Sequence, residues 1–335
     1  MDKALKKLQV PPSCITPALR LALLEDRAWG GLIFEPTLQS GLPSDHEVNL
    51  NSLSQEVFSM RDGVLDVVSN DLLVSAGSPH GARPKLFLSL SEDFKKATTS
   101  LHPNLPGFSP WIIKFAAKEE HIDAPKGEYV YMQLAKMAGL SVTDHTLLCI
   151  GGESAFAAKR FDNDGTKRHY VHTMGGMLHV SHRDNSADYT NLAEILHKLP
   201  KGEQSLEEGF RRVCFNALFS VRDDHVKNIS FIKKNHGWAL TPAYDLTYME
   251  GPNGYHSMMF AQGPSQDPTI SDLLRCATSF GIEHNKALSM LKNMAEISQS
   301  FPLLAKNLDI DKRWIKMVGD KIGMMGKRLT PKNAP

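Results

Sequence analysis

A two-lobed α+β fold is predicted, with an antiparallel sheet in a mixed first lobe and a mostly helical second lobe, from two contrasts along the 335 residues. Short apolar runs bounded by turn residues crowd the first half, at 86–90, 111–117, 146–150 and 155–160, with the length of strands. Segments with apolar residues three to four apart fill the second half, at 190–199, 206–220, 270–280, 284–301 and 310–329, with Pro302 and Pro331 as stops. The polar turn Asp162-Asn163-Asp164-Gly165 separates the two patterns, so the lobes are placed at 1–162 and 163–335. One helix is expected inside the first lobe, at 127–138, where Val130, Tyr131, Leu134, Met137 and Ala138 make a stripe that Gly139 stops. The tail 327–335 is expected to fray.

Composition narrows the class. The chain is 41% hydrophobic, enough for a large core, and its net charge of +1 carries no nucleic-acid footprint. It has no run of eighteen apolar residues, and residues 1–12 are too polar for a signal sequence, so the cytoplasm is expected and a membrane is not. Cys14, Cys149, Cys214 and Cys276 lie far apart with no Cys-x-x-Cys spacing, and reduced thiols are expected, with Cys149 and Cys214 in apolar segments. His169, His172, His179 and His182 fall close together around Gly175-Gly176. No carboxylate or cysteine completes a metal site there, so the segment reads as a strand and loop facing a substrate.

The chemistry is concentrated in Val221-Arg222-Asp223-Asp224-His225-Val226-Lys227-Asn228 and in Trp238 to Asp245. An aspartate five residues before an asparagine, with a second aspartate at the end of a following hairpin, is how protein kinases place a base and two Mg²⁺ ligands. Phosphoryl transfer needs a carboxylate near the acceptor hydroxyl and oxygen ligands on the metal. Asp223 is the candidate for the first, on a turn-prone loop after an apolar helix; Asn228 and Asp245 are the candidates for the second. Strands at 229–232 and 237–240, joined by Lys233-Lys234-Asn235-His236, would return Asp245 beside Asn228. Acidic residues beside His and Asn are also common in ordinary loops.

Further parts stand upstream. Residues 76–85 are rich in small residues, which lets backbone N–H groups approach phosphate oxygens, although the same run fits a surface turn. Lys114 lies inside the apolar run 111–117, where burial favours a phosphate partner; the alternative is an edge strand whose lysine reaches water. Glu128 follows at a helix start, placed to pair with Lys114 or to complement the helix dipole.

In this order the chain resembles the HipA family of serine/threonine kinases, the toxin half of bacterial toxin–antitoxin systems. The likeness runs from about 26 to about 281 and is carried by Gly81-Ala82-Arg83-Pro84-Lys85, Lys159-Arg160-Phe161-Asp162, Asn216-Ala217-Leu218, Arg222 to Asn228 and Pro242-Ala243-Tyr244-Asp245-Leu246-Thr247. The resemblance implies ATP and Mg²⁺ as cofactors, with Asp223 as base, His225 beside the transferring group, and Asn228 and Asp245 on the metal. It implies that Gly81, Ala82, Arg83 and Lys85, with Lys114, approach the nucleotide phosphates, and that Arg160-Phe161-Asp162 forms the hinge for adenine and ribose. Phe161 also fits a plain core aromatic.

The family phosphorylates a serine of its own phosphate loop, so Ser78 is the first candidate for autophosphorylation and Ser75 the second; both also fit ordinary turn serines. Val221 replaces the asparagine usual two residues before the aspartate, and His80 stands where glycine is common. Gly30-Gly31-Leu32-Ile33-Phe34 matches the end of the family's N-terminal region, which resembles the short HipT-like kinases that lack the first subdomain and take it from a separate small protein. The implied partners are a helix-turn-helix antitoxin of HipB type, through which any DNA contact would run, and a protein substrate such as an aminoacyl-tRNA synthetase. A small-molecule phosphotransferase uses a similar carboxylate arrangement, and a nucleotide-dependent module that only binds an antitoxin is the non-enzymatic alternative.

Overall fold

Alternation of apolar residues along the first-half runs builds one sheet. In the computed structural model, strands β1 (Glu47–Val48), β2 (Lys85–Ser91), β3 (Ala97–Thr98), β4 (Phe108–Lys114), β5 (His145–Ile150) and β6 (Glu153–Lys159) pair antiparallel in the order β1-β3-β2-β4-β6-β5. The structure describes residues 11–25, 28–36, 46–64, 69–75, 83–101, 105–163, 167–183, 186–200, 202–235, 237–262 and 266–330. Leu86, Leu88 and Leu90 of β2, Trp111 and Ile113 of β4, and Ala155 and Ala157 of β6 sit at alternate positions and bury one sheet face. Helices α1 (Pro17–Leu24), α2 (Leu50–Arg61) and α3 (Asn70–Ser75) belong to the same part of the chain, and Leu53 and Val57 of α2 join that core. The run expected to be a strand to Ala117 leaves the ladder at Lys114: Phe115 N–H bonds Pro84 O at 3.0 Å, and Phe115 and Ala116 stay buried without strand pairing.

The chain divides into two compact units, Met1–Pro125 with Asp144–Tyr170, and Lys126–Thr143 with Val171–Pro335. Most of helix α4 (Ala124–Met137) therefore counts with the second unit although its sequence lies between strands of the first.

In the second unit α5 (Met174–Leu178), α6 (Tyr189–His197), α7 (Gly202–Phe219), α8 (Ile270–Ser279), α9 (His284–Ser298), α10 (Phe301–Lys306) and α11 (Lys312–Leu329) accompany a sheet of β7 (Val171–Thr173), β8 (Ser230–Lys234) and β9 (Gly237–Leu240). Phe210, Val213, Phe215, Leu218 and Phe219 of α7 are all buried, so this helix is the centre of the core. Tyr131 of α4 packs its ring near Phe215, Phe219 and Phe301 and donates its hydroxyl to Phe219 O at 2.8 Å. Side chains start the helices: Asp188 and Thr269 make capping boxes for α6 and α8, and Asp311 accepts from Arg313 and Trp314 N–H at α11.

Two helix ends differ from the sequence reading. The stretch 284–301 breaks at Gln299–Ser300, and Pro302 opens α10 instead of ending a helix, because a first-turn proline lacks only an N–H that has no intrahelical partner anyway. Helix α11 runs through Leu329, which is fully buried, beyond the point where fraying was expected.

Candidate active site

Two buried anchors suspend the loop after α7. Arg222 donates to Glu250 O at 3.0 Å, Gln266 O at 2.7 Å and Asp267 Oδ1 at 2.6 Å. Asp224 accepts from Tyr189 Oη at 2.7 Å, His256 Nδ1 at 2.8 Å and Ser257 N–H at 2.7 Å, while Ser257 Oγ donates to Arg222 O at 2.9 Å. Burial, together with the Asp224 charge, pushes the Tyr189 phenol well above its ordinary range, so it remains a donor. Asp223 lies between these anchors with its side chain 45% exposed, the one carboxylate of the Arg-Asp-Asp triplet that a reactant can reach.

The rest of the loop is turned toward Asp223. Asn228 donates its side-chain Nδ2 to Asp223 O at 2.7 Å, and its N–H bonds His225 O at 2.8 Å. His225 Nε2 is 3.6 Å from Asp223 Oδ1. Val221, the residue that departs from the family pattern, is ordered through its backbone: its N–H bonds Asn216 O at 3.0 Å, and it bridges Met249. Gly175 and Gly176, expected in a loop, are helical, and a Cβ on Gly175 would meet Val226 Cγ2 at 2.8 Å; glycine lets α5 pack against the catalytic loop.

The expected hairpin is present, with β8 and β9 paired from Phe231↔Leu240 to Lys234↔Gly237. Thr241 N–H bonds Ser230 O at 3.0 Å, and Tyr244 Oη donates to Lys227 O at 2.7 Å and contacts Ser230 Oγ at 2.6 Å, which ties the residue before Asp245 to the loop that holds Asn228. Asp245 has φ of +58°, a left-handed conformation uncommon outside glycine and typical of functional sites. Because the Asn228 amide nitrogen is spent on Asp223 O, its Oδ1 is the side-chain atom that could face a cation, and amide and carboxylate oxygens are the donor type that suits Mg²⁺. Among the described residues no three His, Cys, Asp or Glu side chains gather as metal ligands.

In the first unit, Lys85 of β2 and Lys114 of β4 are direct cross-strand partners. Like charges at opposite positions of a ladder are destabilising unless other groups offset them. Lys114 is 9% exposed, with Nζ 5.9 Å from the centre of the Phe156 ring. Arg83 is held by a carboxylate: its Nε donates to both oxygens of Glu120, at 2.8 and 3.0 Å, and Glu120 also accepts Ala117 N–H.

The Arg160 and Asp162 side chains are enclosed. Arg160 Nε and Nη2 meet Asp162 at 2.9 and 2.5 Å, and Asp162 Oδ2 accepts Gly30 N–H at 2.7 Å, so the pair clamps the 28–30 segment and leaves only backbone groups for a nucleotide. Phe161 sits edge-on to Trp29, centroids 5.2 Å apart. Glu128 is fully buried in the interior of α4, not in its first turn. Ser75, the last residue of α3, is buried and its hydroxyl has no partner among the described residues. Ser78, His80, Gly81 and Ala82 lie outside the described residues. Sequence reasoning missed Arg222, Asp224, Tyr189, His256 and Tyr244 as supports of the site; the charged triplet in an otherwise apolar stretch was the available signal for the first two.

The model of the HipA-like C-terminal domain family matches residues 77–301, which span every residue of this loop and hairpin. The chain belongs to the HipA-like family. A Haemophilus influenzae protein provisionally named as a kinase is 26% identical over 198 residues, 54% of this chain and 55% of its own length, so the chain spans about half of that curated relative. Among solved structures, HipA of the Shewanella oneidensis MR-1 toxin–antitoxin system, determined with HipB and its operator DNA, superposes with a TM-score of 0.72 over 98% of this chain and 81% of its own, at 18% identity. That likeness establishes the HipA-like, kinase-like α+β fold. A Helicobacter pylori proinflammatory kinase, CtkA, gives a TM-score of 0.45 over 73% of this chain and 90% of its own, at 10% identity.

Proposed function

We propose that this HipA-like chain is an ATP- and Mg²⁺-dependent protein serine/threonine kinase, the toxin of a toxin–antitoxin pair. The observation that carries the reading is the exposed Asp223 held beside Asn228, with Asp245 in a left-handed conformation at the end of the tied hairpin. Asp223 accepts the proton of the acceptor hydroxyl as that oxygen attacks the γ-phosphorus of ATP and the bond from phosphorus to the β–γ bridging oxygen breaks, with ADP leaving. Asn228 and Asp245 would hold Mg²⁺, which when bound would neutralise phosphate charge. Lys85 and Lys114 are assigned to the nucleotide phosphates, the backbone at 160–162 to the adenine and ribose, and His225 to the acceptor side.

Partners follow from the same reading: a HipB-type antitoxin, a separate small protein in place of the N-terminal subdomain, and a protein substrate such as an aminoacyl-tRNA synthetase. The proposed compartment is the cytoplasm; among the described residues no helix is long and apolar enough to cross a membrane. Ser78 is the proposed site of self-modification. Ser75 is second, since its burial requires α3 to open before a kinase could reach it.

The test is intact mass of wild type and Asp223→Ala after incubation with ATP and Mg²⁺, with peptide mapping of any phosphate. Phosphate on wild type alone is expected. ATP binding with no phosphate on any protein acceptor would replace the reading with a small-molecule phosphotransferase or an antitoxin-binding module.

A further inference from the structure

The histidine-rich segment ends at His182, and His182 lies against the loop that holds Asp223. Its ring stands edge-on to His225, with centroids 5.5 Å apart and planes at 72°. The His225 Nε2 is 3.6 Å from Asp223 Oδ1, beyond hydrogen-bond length, and its Nδ1 is buried with no partner among the described residues. An imidazole without a hydrogen bond takes its direction from packing, and an edge-to-face aromatic contact is directional.

We propose that His182 is a positioning residue for phosphoryl transfer: it holds the His225 ring beside Asp223 and so fixes the acceptor side of the site. The proposal rests on the reading of Asp223 as the base. His182 acts through His225, in a reaction where small displacements of the reacting groups are costly to rate.

Initial rates of phosphate transfer by wild type, His182→Ala, His182→Phe and Asp223→Ala test it, together with the imidazole NMR resonances of His225, assigned by their loss in His225→Gln. Circular dichroism melting confirms that each variant is folded. His182→Ala is expected to lower kcat by roughly tenfold or more while KM for ATP stays within about twofold. His182→Phe keeps an aromatic edge without a ring nitrogen and is expected to recover most of the loss. The His225 resonances are expected to move in His182→Ala and to return toward wild type in His182→Phe. Unchanged kcat and unchanged His225 resonances in His182→Ala, or a phenylalanine variant as impaired as the alanine one, would overturn the proposal. If wild type transfers no more phosphate than Asp223→Ala, the kinase reading fails, and the His225 resonances alone decide whether His182 sets that ring.

Discussion

The side-chain amide of Asn228 donates to the main-chain carbonyl of Asp223 across 2.7 Å, so the candidate metal ligand and the candidate base are held by one bond. Asn228→Asp keeps a ligand oxygen but removes this donor and sets a carboxylate against a carbonyl. Turnover is expected to fall by roughly ten- to a hundredfold, the range seen when a metal ligand loses its supporting bond. Initial rates measured against Mg²⁺ concentration check this, and an aspartate variant with the wild-type Mg²⁺ curve would show that the bond does not orient the ligand.

Asp224 is the structural counterpart of its exposed neighbour. With the carboxylate gone in Asp224→Ala, the Tyr189 hydroxyl, the His256 Nδ1 and the Ser257 N–H lose their common acceptor inside the core. Removing one partner of such a buried network costs about 3–5 kcal/mol, whereas Tyr189→Phe, which deletes one donor to Asp224 and the acceptor of Asn216 Nδ2, costs about 1–2 kcal/mol. Denaturant unfolding measures both; equal losses would mean that Asp224 is not the hub.

Much of this site was legible in the sequence because its parts are local. Asp223, His225 and Asn228 share one loop, and the short hairpin before Asp245 follows from two apolar runs and a polar turn. The supports were not legible, since Tyr189 and His256 approach Asp224 from 35 and 32 residues away and only the packed core brings them together. The same limit applies to the side chains of Arg160 and Asp162, which bond each other, with Asp162 also accepting from Gly30, 132 residues away. Strand ends failed for another reason. Phe115 and Ala116 are as buried as strand residues, so an apolar run cannot show where the hydrogen-bond ladder stops.

Acid should act through Asp267. Partial burial pushes its carboxyl up, but the bond to Lys321 and the charges of Lys321, Arg222 and Arg328 outweigh this and hold its pKa below the ordinary carboxylate value. A depressed folded-state pKa gives stability that is complete above the unfolded value, about 3.9, and is lost as pH falls through the folded one. Asp267 also grips Arg222, so its protonation loosens the anchor before Asp223. Asp267→Asn is therefore expected to be less stable than wild type at pH 7 and to converge with it as pH falls through the lowered folded-state pKa. Melting curves over pH 2.5 to 7 check the convergence; parallel curves throughout would remove Asp267 from the acid response.

Thiol reactivity separates the surface from the core. Cys14 and Cys149 are exposed, although Cys149 lies in an apolar run, whereas Cys214 and Cys276 are buried. Burial pushes the Cys214 thiol up, and burial with the nearby Asp188 and Asp272 charges pushes Cys276 up to about 12. Only the thiolate attacks a disulfide reagent, so access and protonation state act in the same direction. A chromogenic disulfide reagent at neutral pH should thus label Cys14 and Cys149 quickly in the native protein, and all four cysteines in denaturant. Labelling of Cys276 on α8 can then occur only as fast as that helix opens from α7, and its rate reports local unfolding of the second unit. Rapid native labelling of all four would mean that this core is open in solution.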